Sequence, residues 1–247
     1  MLSLFKKQVA TQASVPFQYP VVDLHSHLIP GIDDGSPSMD ITISFLKELQ
    51  KLGYKNIITT PHIMIDHYPN TKDGILRGCD KVRNAVVKEG LQIEVDAAAE
   101  YFLDEHFLSL IEKDELLCFG RENYVLFEMS FMQESMMIEH VIFELKARGY
   151  TPLLAHPERY NYYLTDYSRL HKFKELGCSL QLNINSVTGY YGNRHKTMAL
   201  NLLKDGLIDF VGSDLHHDRH LNALKSLKNS GYYPLLEAAI QRNNGLI

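Results

Sequence analysis

His25 and His27 stand two residues apart in Asp23-Leu24-His25-Ser26-His27, just after the short apolar run that Val21 and Val22 begin. Side chains alternate faces along a strand, so the two imidazoles point the same way and form half of a metal site. Asp33-Asp34-Gly35 turns the chain a few residues later and brings a hard oxygen donor near them. A single histidine in such a place is more often an incidental polar residue. The pattern gains weight if other strands also end in ligands.

They do. Thr59-Thr60-Pro61-His62 closes a second apolar run, Glu100 follows Ala97-Ala98-Ala99, and Glu128 follows Val125-Leu126-Phe127. His156 precedes Pro157, and Asp214 and His216 end the last strand. Together His25, His27, Asp34, His62, Glu100, Glu128, His156, Asp214 and His216 offer imidazoles and carboxylates without a thiolate. Such a mixed N/O set suits Mn2+, Fe2+ or Zn2+, whereas a structural zinc site favours cysteine. The set exceeds what one ion can use, so two or three ions sharing a bridging carboxylate are expected. Three divalent ions against four carboxylates leave a charge of about +2, which matches a phosphate monoester dianion. A centre of this kind brings the pKa of a bound water to about 7 and clamps the attacking and leaving oxygens of an in-line displacement. Glu100 and Glu128 would be costly to bury without partners. His62 and His156, taken alone, fit a core histidine equally well. His67, His106, His140, His171 and His195 are assigned to helix faces and loops; His217 and His220 are set apart from these only by their location beside the last ligand motif.

The elements that must position these residues alternate regularly. Helical spacing is expected over 40–52, 73–89, 104–113, 135–148, 166–176 and 194–204, with glycines closing most of these runs, and from 221 onward with a break at Gly231 to Pro234. Short apolar runs lie between them, near 56–60, 91–98, 124–127, 152–155, 179–184 and 208–211. Strand, helix, strand in this order argues for a parallel sheet with helices outside. An open sheet concentrates its chemistry at one switch point, whereas a barrel spreads it over many strand ends. Ligands from all but one strand converge only on a ring. The expected fold is a single-domain distorted (β/α)7 barrel over residues 21–247, preceded by an N-terminal arm of residues 1–20.

Composition bounds the function. A chain of 247 residues with 45% hydrophobic and 22% charged residues can bury a sizeable core. A net charge of −5 argues against nucleic acid as a partner, because phosphate-backbone affinity needs clustered Lys and Arg. No stretch approaches the length of a membrane span and the N-terminus lacks a signal-peptide core, so a cytoplasmic protein without membrane insertion is expected. Cys79, Cys118 and Cys178 are scattered and odd in number, which predicts no disulfide framework. None has an arginine six positions on, so the Cys-x5-Arg loop of thiol-based phosphatases is missing.

The motifs Asp-Leu-His-Ser-His with Asp-Asp-Gly, Thr-Thr-Pro-His, Ala-Glu-Tyr, Phe-Glu-Met, Ala-His-Pro-Glu-Arg-Tyr and Gly-Ser-Asp-Leu-His, in this order, resemble the polymerase and histidinol phosphatase (PHP) superfamily. Within it the chain is most similar to the bacterial tyrosine-protein phosphatases of capsule and exopolysaccharide operons, the CpsB/YwqE type. The resemblance runs from about Val21 to about His216. It implies a trinuclear phosphatase, manganese-dependent with iron or zinc as alternatives, acting on phosphotyrosines of a cognate bacterial tyrosine kinase. It also implies that His25, His27, Glu100 and Asp214 hold one ion, that Glu100, Glu128 and His156 hold a second, and that Asp34, His62 and His216 hold the third. Arg159 matches a family arginine that grips phosphate. A second such arginine lies further beyond the last His motif in relatives than Arg219 does here, and Arg219 is its candidate. The arm is extra relative to the family.

Tyrosine is a leaving group of pKa about 10, which makes a site without an obvious general acid tolerable. Tyr160, Tyr162 and Tyr163 fit stacking at the pocket rim and surface aromatics equally well. Two competitors stand beside a phosphotyrosine phosphatase. One is a small-molecule phosphoesterase such as histidinol-phosphate phosphatase. The other is a non-catalytic regulator that binds a phosphoprotein, against which the complete ligand set argues.

Overall fold

Short parallel strands alternate with helices throughout the computed structural model, which describes residues 17–246. In chain order they are β1 (Val22–Asp23), α1 (Met39–Leu52), β2 (Asn56–Thr59), β3 (His62–Ile63), α2 (Lys72–Lys88), β4 (Glu94–Ala97), β5 (Glu100–Phe102), α3 (Glu105–Lys113) and β6 (Tyr124–Glu128). There follow α4 (Ile138–Ala147), β7 (Thr151–Ala155), α5 (Ser168–Glu175), β8 (Ser179–Asn183), α6 (Asn193–Lys204), β9 (Phe210–Gly212), α7 (Asp218–Ser226) and α8 (Tyr233–Asn244). The helices begin and end where side chains satisfy their free backbone groups. Ser38 accepts the Ile41 N–H ahead of α1, Asp104 accepts the Phe107 N–H ahead of α3, and Gly53 ends α1 in the left-handed region at φ 105°. Phe45, Leu46 and Leu49 then share the buried face of α1 at helical spacing.

Hydrogen-bonded neighbours run β1-β2-β4 and β3-β5-β6-β7-β8-β9, every pair parallel. The two sheets are parts of one. β2 and β3 form a single strand interrupted at Thr60 and Pro61, and β4 and β5 another interrupted at Ala98 and Ala99, which leaves the seven strands expected. Pro61 has no N–H to offer, so the ladder breaks there. It resumes through Ala98 N–H to Thr59 O (2.9 Å) and Glu100 N–H to Pro61 O (3.1 Å).

The ring closes between its first and last strands. Ser26 bridges Leu215, Asp214 N–H donates to His25 O (2.8 Å), and His27 N–H donates to Leu215 O (3.0 Å). Deeper in the seam side chains replace the ladder. Ser213 N–H donates to Asp23 Oδ1 (2.9 Å). Asn243 of α8 accepts from Val211 N–H (3.0 Å) and donates to Val22 O (3.0 Å) and Val211 O (2.6 Å). This seam is the distortion of the (β/α)7 barrel.

The large core fills the layer between strands and helices, with Ile57, Val125, Phe127, Leu154 and Leu180 facing outward into it. A smaller cluster, including Val22, Ile58, Ala98, Leu126, Leu153 and Phe210, fills the barrel interior. Two residues further along the same inward face stand the ionisable groups: Ala98 is followed by Glu100, and Leu126 by Glu128. The interior is thus apolar at the N-terminal end of the strands and polar at the C-terminal end.

Residues 1–16, most of the expected arm, lie outside the described residues. Its last part packs on the barrel. Phe17 meets the Tyr233 ring edge-on at 5.3 Å, and Tyr19 OH donates to Leu224 O (3.0 Å). Among the described residues no helix is long and apolar enough to cross a membrane.

Candidate metal centre

The proposed metal ligands all gather at the C-terminal end of the barrel. Glu100 lies at their centre and is buried. Its Oε2 stands 3.3 Å from His25 Nε2, 3.4 Å from His27 Nε2 and 3.2 Å from His62 Nδ1. Asp214 Oδ1 is 3.4 Å from His25 Nε2 and 3.6 Å from His27 Nε2, completing a first group of donors. His156 Nε2 lies 3.1 Å from Glu100 Oε1 and 3.7 Å from Glu128 Oε2, a second group. Asp34 Oδ1 is 3.4 Å from both His62 Nε2 and His216 Nε2, a third. His62 sits between the last two, since its Nδ1 is also 3.2 Å from Glu128 Oε1.

Hydrogen bonds behind the ligands fix which ring nitrogens carry protons. A carboxylate only accepts, so Asn183 Nδ2 must donate to Asp214 Oδ2 (2.7 Å). Asn183 Oδ1 then accepts from Gln181 Nε2 (3.1 Å), and Gln181 Oε1 accepts from His25 Nδ1–H (2.8 Å). His25 Nε2 is left with a lone pair. By the same logic His27 Nδ1–H donates to Asp33 Oδ2 (2.8 Å) and His216 Nδ1–H to Asp214 O (3.0 Å). Lone pairs therefore face lone pairs: His25 Nε2 and His27 Nε2 are 3.3 Å apart, and buried Glu100 Oε2 has no hydrogen-bond donor. Such an arrangement is unfavourable unless positive charge lies between the atoms, and divalent cations with N/O preference fit it.

Without a cation between the donors, the same crowding of carboxylates favours a proton on these imidazoles. Burial alone would lower the pKa of His25, but the Glu100 and Asp214 carboxylates push it up to about 9. At His62 and His216 burial again favours the neutral ring, but carboxylates outweigh it and raise both, Glu100 with Asp34 and Glu128 at His62 and Asp214 with Asp34 at His216. Glu100 and Asp214 are held well below the carboxylate range despite burial, chiefly by His25 together with His62 or His216. Asp34 is lowered by the neighbouring His216 and His62 imidazoles.

Local backbone aims several of these groups. His156 and Asp214 are non-glycine residues with positive φ, 35° and 50°, each turning a side chain inward as a strand ends. Gly35 and Gly212 allow close approach: a Cβ on Gly35 would lie 2.3 Å from His27 Cβ, and one on Gly212 would lie 2.5 Å from His25 Cβ.

The centre opens into a cavity of about 540 Å3, walled by Tyr68, Phe131, Arg159, Tyr190, Tyr191 and His220 among others. Arg159, on the turn after β7, donates from Nη1 to Asp214 Oδ2 (3.0 Å). Its guanidinium lies against Phe131 and Tyr191, 4.7 and 4.4 Å from their ring centres. Arg219 is not brought to the cavity. It is exposed near the start of α7, where the helix turns the neighbouring His220 inward and Arg219 toward solvent. Neither expectation for Tyr160, Tyr162 and Tyr163 holds. Tyr160 is buried and its OH accepts Met129 N–H (3.0 Å), Tyr163 OH donates to Glu134 (2.7 Å), and Tyr162 OH donates to Ser130 O (3.1 Å). They brace the loop after β6, and Tyr68, Tyr190 and Tyr191 supply the aromatic wall instead.

Sequence reading missed Asp33 and Gln181 as partners of the ligands and set Asn183 aside as a poor ligand. Gln181 and Asn183 are two apart on β8, the same spacing as His25 and His27, and that alternation was the available signal. His67, assigned to a helix face or loop, lines the cavity, as do His217 and His220, which the sequence set apart only by location. Cys79 and Cys178 are buried, and burial pushes their thiols up to about 11 and about 12, so they are not poised as nucleophiles.

A family model described as capsular polysaccharide synthesis, CpsB/CapC, matches residues 21–226. The tyrosine-protein phosphatase YwqE of Bacillus subtilis (strain 168) is 28% identical over 202 residues, 82% of this chain and 80% of its own length. The tyrosine-protein phosphatase CpsB of Streptococcus pneumoniae is 28% identical over 204 residues, 80% of this chain and 83% of its own. A chain from the crystal structures of those two proteins, described as unique metal-dependent tyrosine phosphatases, superposes with a TM-score of 0.82 at 26% identity, covering 91% of this chain and 93% of that one. A histidinol phosphate phosphatase from Lactococcus lactis shares the fold at a TM-score of 0.52 and 12% identity, covering 85% of this chain and 92% of its own.

Proposed function

The chain belongs to the CpsB/CapC family of capsular polysaccharide synthesis, and we propose that it is a metal-dependent protein-tyrosine phosphatase, a phosphoric monoester hydrolase. Its substrate is a phosphotyrosine of a bacterial tyrosine kinase that serves capsule or exopolysaccharide synthesis in the cytoplasm. The observation that carries this reading is the convergence of His25, His27 and His62 on Glu100 Oε2, beside a cavity that also presents Arg159 and aromatic rings.

His25, His27, Glu100 and Asp214 would hold one divalent ion, Glu100, Glu128 and His156 a second, and Asp34, His62 and His216 a third, with manganese the first candidate. Bound ions supply positive charge for the phosphoryl oxygens and a water acidic enough to attack at neutral pH. The chain's own groups do the rest. Gln181 and Asp33 keep His25 and His27 in the tautomers that present Nε2. Asn183 and Arg159 occupy Asp214 Oδ2 and leave Oδ1 facing the cluster. Arg159 retains further N–H groups for phosphate oxygens, and its two aromatic neighbours hold the guanidinium plane. Tyr68, Tyr190 and Tyr191 fit an aryl ester better than a small alkyl one.

Steady-state rates on a phosphotyrosine peptide and on histidinol phosphate, with added Mn2+, test the substrate. The peptide is expected to be preferred, and chelation to abolish both rates until Mn2+ is restored. A preference of about a hundredfold for histidinol phosphate, roughly 2.7 kcal/mol of transition-state discrimination, would end the phosphotyrosine reading.

A further inference from the structure

His220 is a wall of the cavity that the metal cluster does not use. It is buried at the start of α7, with its backbone carbonyl held by Asn185 Nδ2 (3.1 Å) and its ring packed edge-on against Tyr190 (4.8 Å). The His216 backbone N–H donates to its Nδ1 (3.3 Å). A nitrogen that accepts a hydrogen bond carries no proton, so the ring is neutral and its proton sits on Nε2. No group among the described residues accepts from that Nε2–H, and His220 lines the cavity together with Arg159 and Asp214. Neither packing nor the bond to His216 uses that N–H, which leaves it to donate to whatever occupies the cavity.

We propose that His220 Nε2–H is the hydrogen-bond donor to the ester oxygen of the substrate, stabilising the leaving phenolate. The proposal rests on the phosphatase reading above. Non-bridging phosphoryl oxygens are charged from the outset and match cationic partners, which Arg159 and bound ions would supply. The ester oxygen is neutral in the ground state and gains charge only as its bond to phosphorus breaks. A fixed neutral donor aimed at that oxygen contributes chiefly in the transition state. In the step, the attacking water oxygen forms a bond to phosphorus and releases its proton to solvent. The P–O(aryl) electron pair moves onto the phenolic oxygen, and the phenolate later takes a proton from solvent. His220 keeps its own proton throughout. A neutral imidazole polarising an oxygen in this way has precedent in enzyme catalysis.

A leaving-group series on the Mn2+-loaded enzyme tests the role, using a phosphotyrosine peptide, phenyl phosphate, p-nitrophenyl phosphate and alkyl phosphates. His220→Asn keeps an acceptor for the His216 N–H but withdraws the donor from the cavity. His220→Gln extends an N–H toward the Nε2 position. For His220→Asn, kcat on phosphotyrosine should fall about ten- to a hundredfold, but by less than about threefold on p-nitrophenyl phosphate, whose phenolate needs little help. Metal content and inhibition by inorganic phosphate should not change, and His220→Gln should recover much of the loss. An equal fall across the series, or weaker phosphate inhibition with an unchanged leaving-group slope, overturns the proposal. A wild type active only on alkyl esters removes the phosphotyrosine reading but still reports the slope at His220; one inactive on every ester removes both.

Discussion

Glu100 Oε2 has three imidazole nitrogens within 3.4 Å and no hydrogen-bond donor. That is a costly place to leave a carboxylate oxygen, and it shows how far single residues here are shaped for a cation rather than for the fold. The two arginines differ at the same scale. Arg159 is tied to Asp214 and lies against two rings, so its guanidinium is held in one orientation at the cavity wall. Lysine has neither the planar fork nor the stacking face. Arg159→Lys should lose about tenfold or more in kcat/KM with metal content unchanged. Arg219→Ala, altering an exposed side chain, should stay within about twofold in rate and leave phosphate inhibition intact. Rates and inhibition constants for the two variants, with metal analysis of each, check both statements; loss of phosphate inhibition in Arg219→Ala would return that residue to the site.

Among the elements, the seam between β1 and β9 is the least conventional. Both strands are short, and in place of a ladder Asn243 of α8 serves Val22 O, Val211 O and Val211 N–H. This contact lies below the cluster and touches none of its ligands. Replacing Asn243 with leucine would leave three backbone groups unpaired in a buried place. Asn243→Leu should therefore cost about 3 kcal/mol or more in denaturant unfolding of the metal-free protein. A loss below about 1 kcal/mol would mean that the ring is held shut elsewhere. The strand breaks at Thr60-Pro61 and Ala98-Ala99 are the other irregularity. Beyond them the pairing resumes with His62 opposite Glu100, which sets both groups at the same level of the barrel.

At the scale of the whole molecule, folding and metal binding are coupled through the crowded donors. His25 in the metal-free protein has a pKa of about 9, above its ordinary value of 6.5. A group raised in the folded state contributes stability that is fully present below its unfolded pKa and is lost as pH rises through the folded one. The thermal midpoint of chelated protein should thus fall between about pH 6.5 and pH 9. Glu100 and Asp214 shift the other way, and their contribution fades only in acid. Bound ions would take the Nε2 lone pairs in place of protons, so the loss over that window should vanish and the midpoint should rise with metal concentration. Scanning fluorimetry at several pH values, with and without Mn2+, measures both. A pH-independent midpoint in the chelated protein would contradict the repulsion inferred at Glu100.

Periodicity and punctuation in the sequence determined the barrel. Apolar runs separated by amphipathic stretches and closing glycines define strands and helices locally, and polar residues at nearly every strand end are compatible only with a ring. The candidate ligand set was legible for the same reason, since His25, His27, His62, Glu100, Glu128, His156, Asp214 and His216 each stand at or just beyond a strand end. What the sequence left open depended on three-dimensional neighbours. Arg159 reaches the cluster and Arg219 does not, because one sits on a turn folded over β7 and the other on the outer face of a helix. The tyrosines after His156 turned into braces while Tyr190 and Tyr191, from a loop without periodic pattern, became the cavity wall. Proton positions on the imidazoles were decided only by the tertiary structure. They follow from a chain of donors and acceptors running through Gln181 and Asn183 to Asp214, residues that the sequence keeps far apart and the barrel brings into hydrogen-bonding distance.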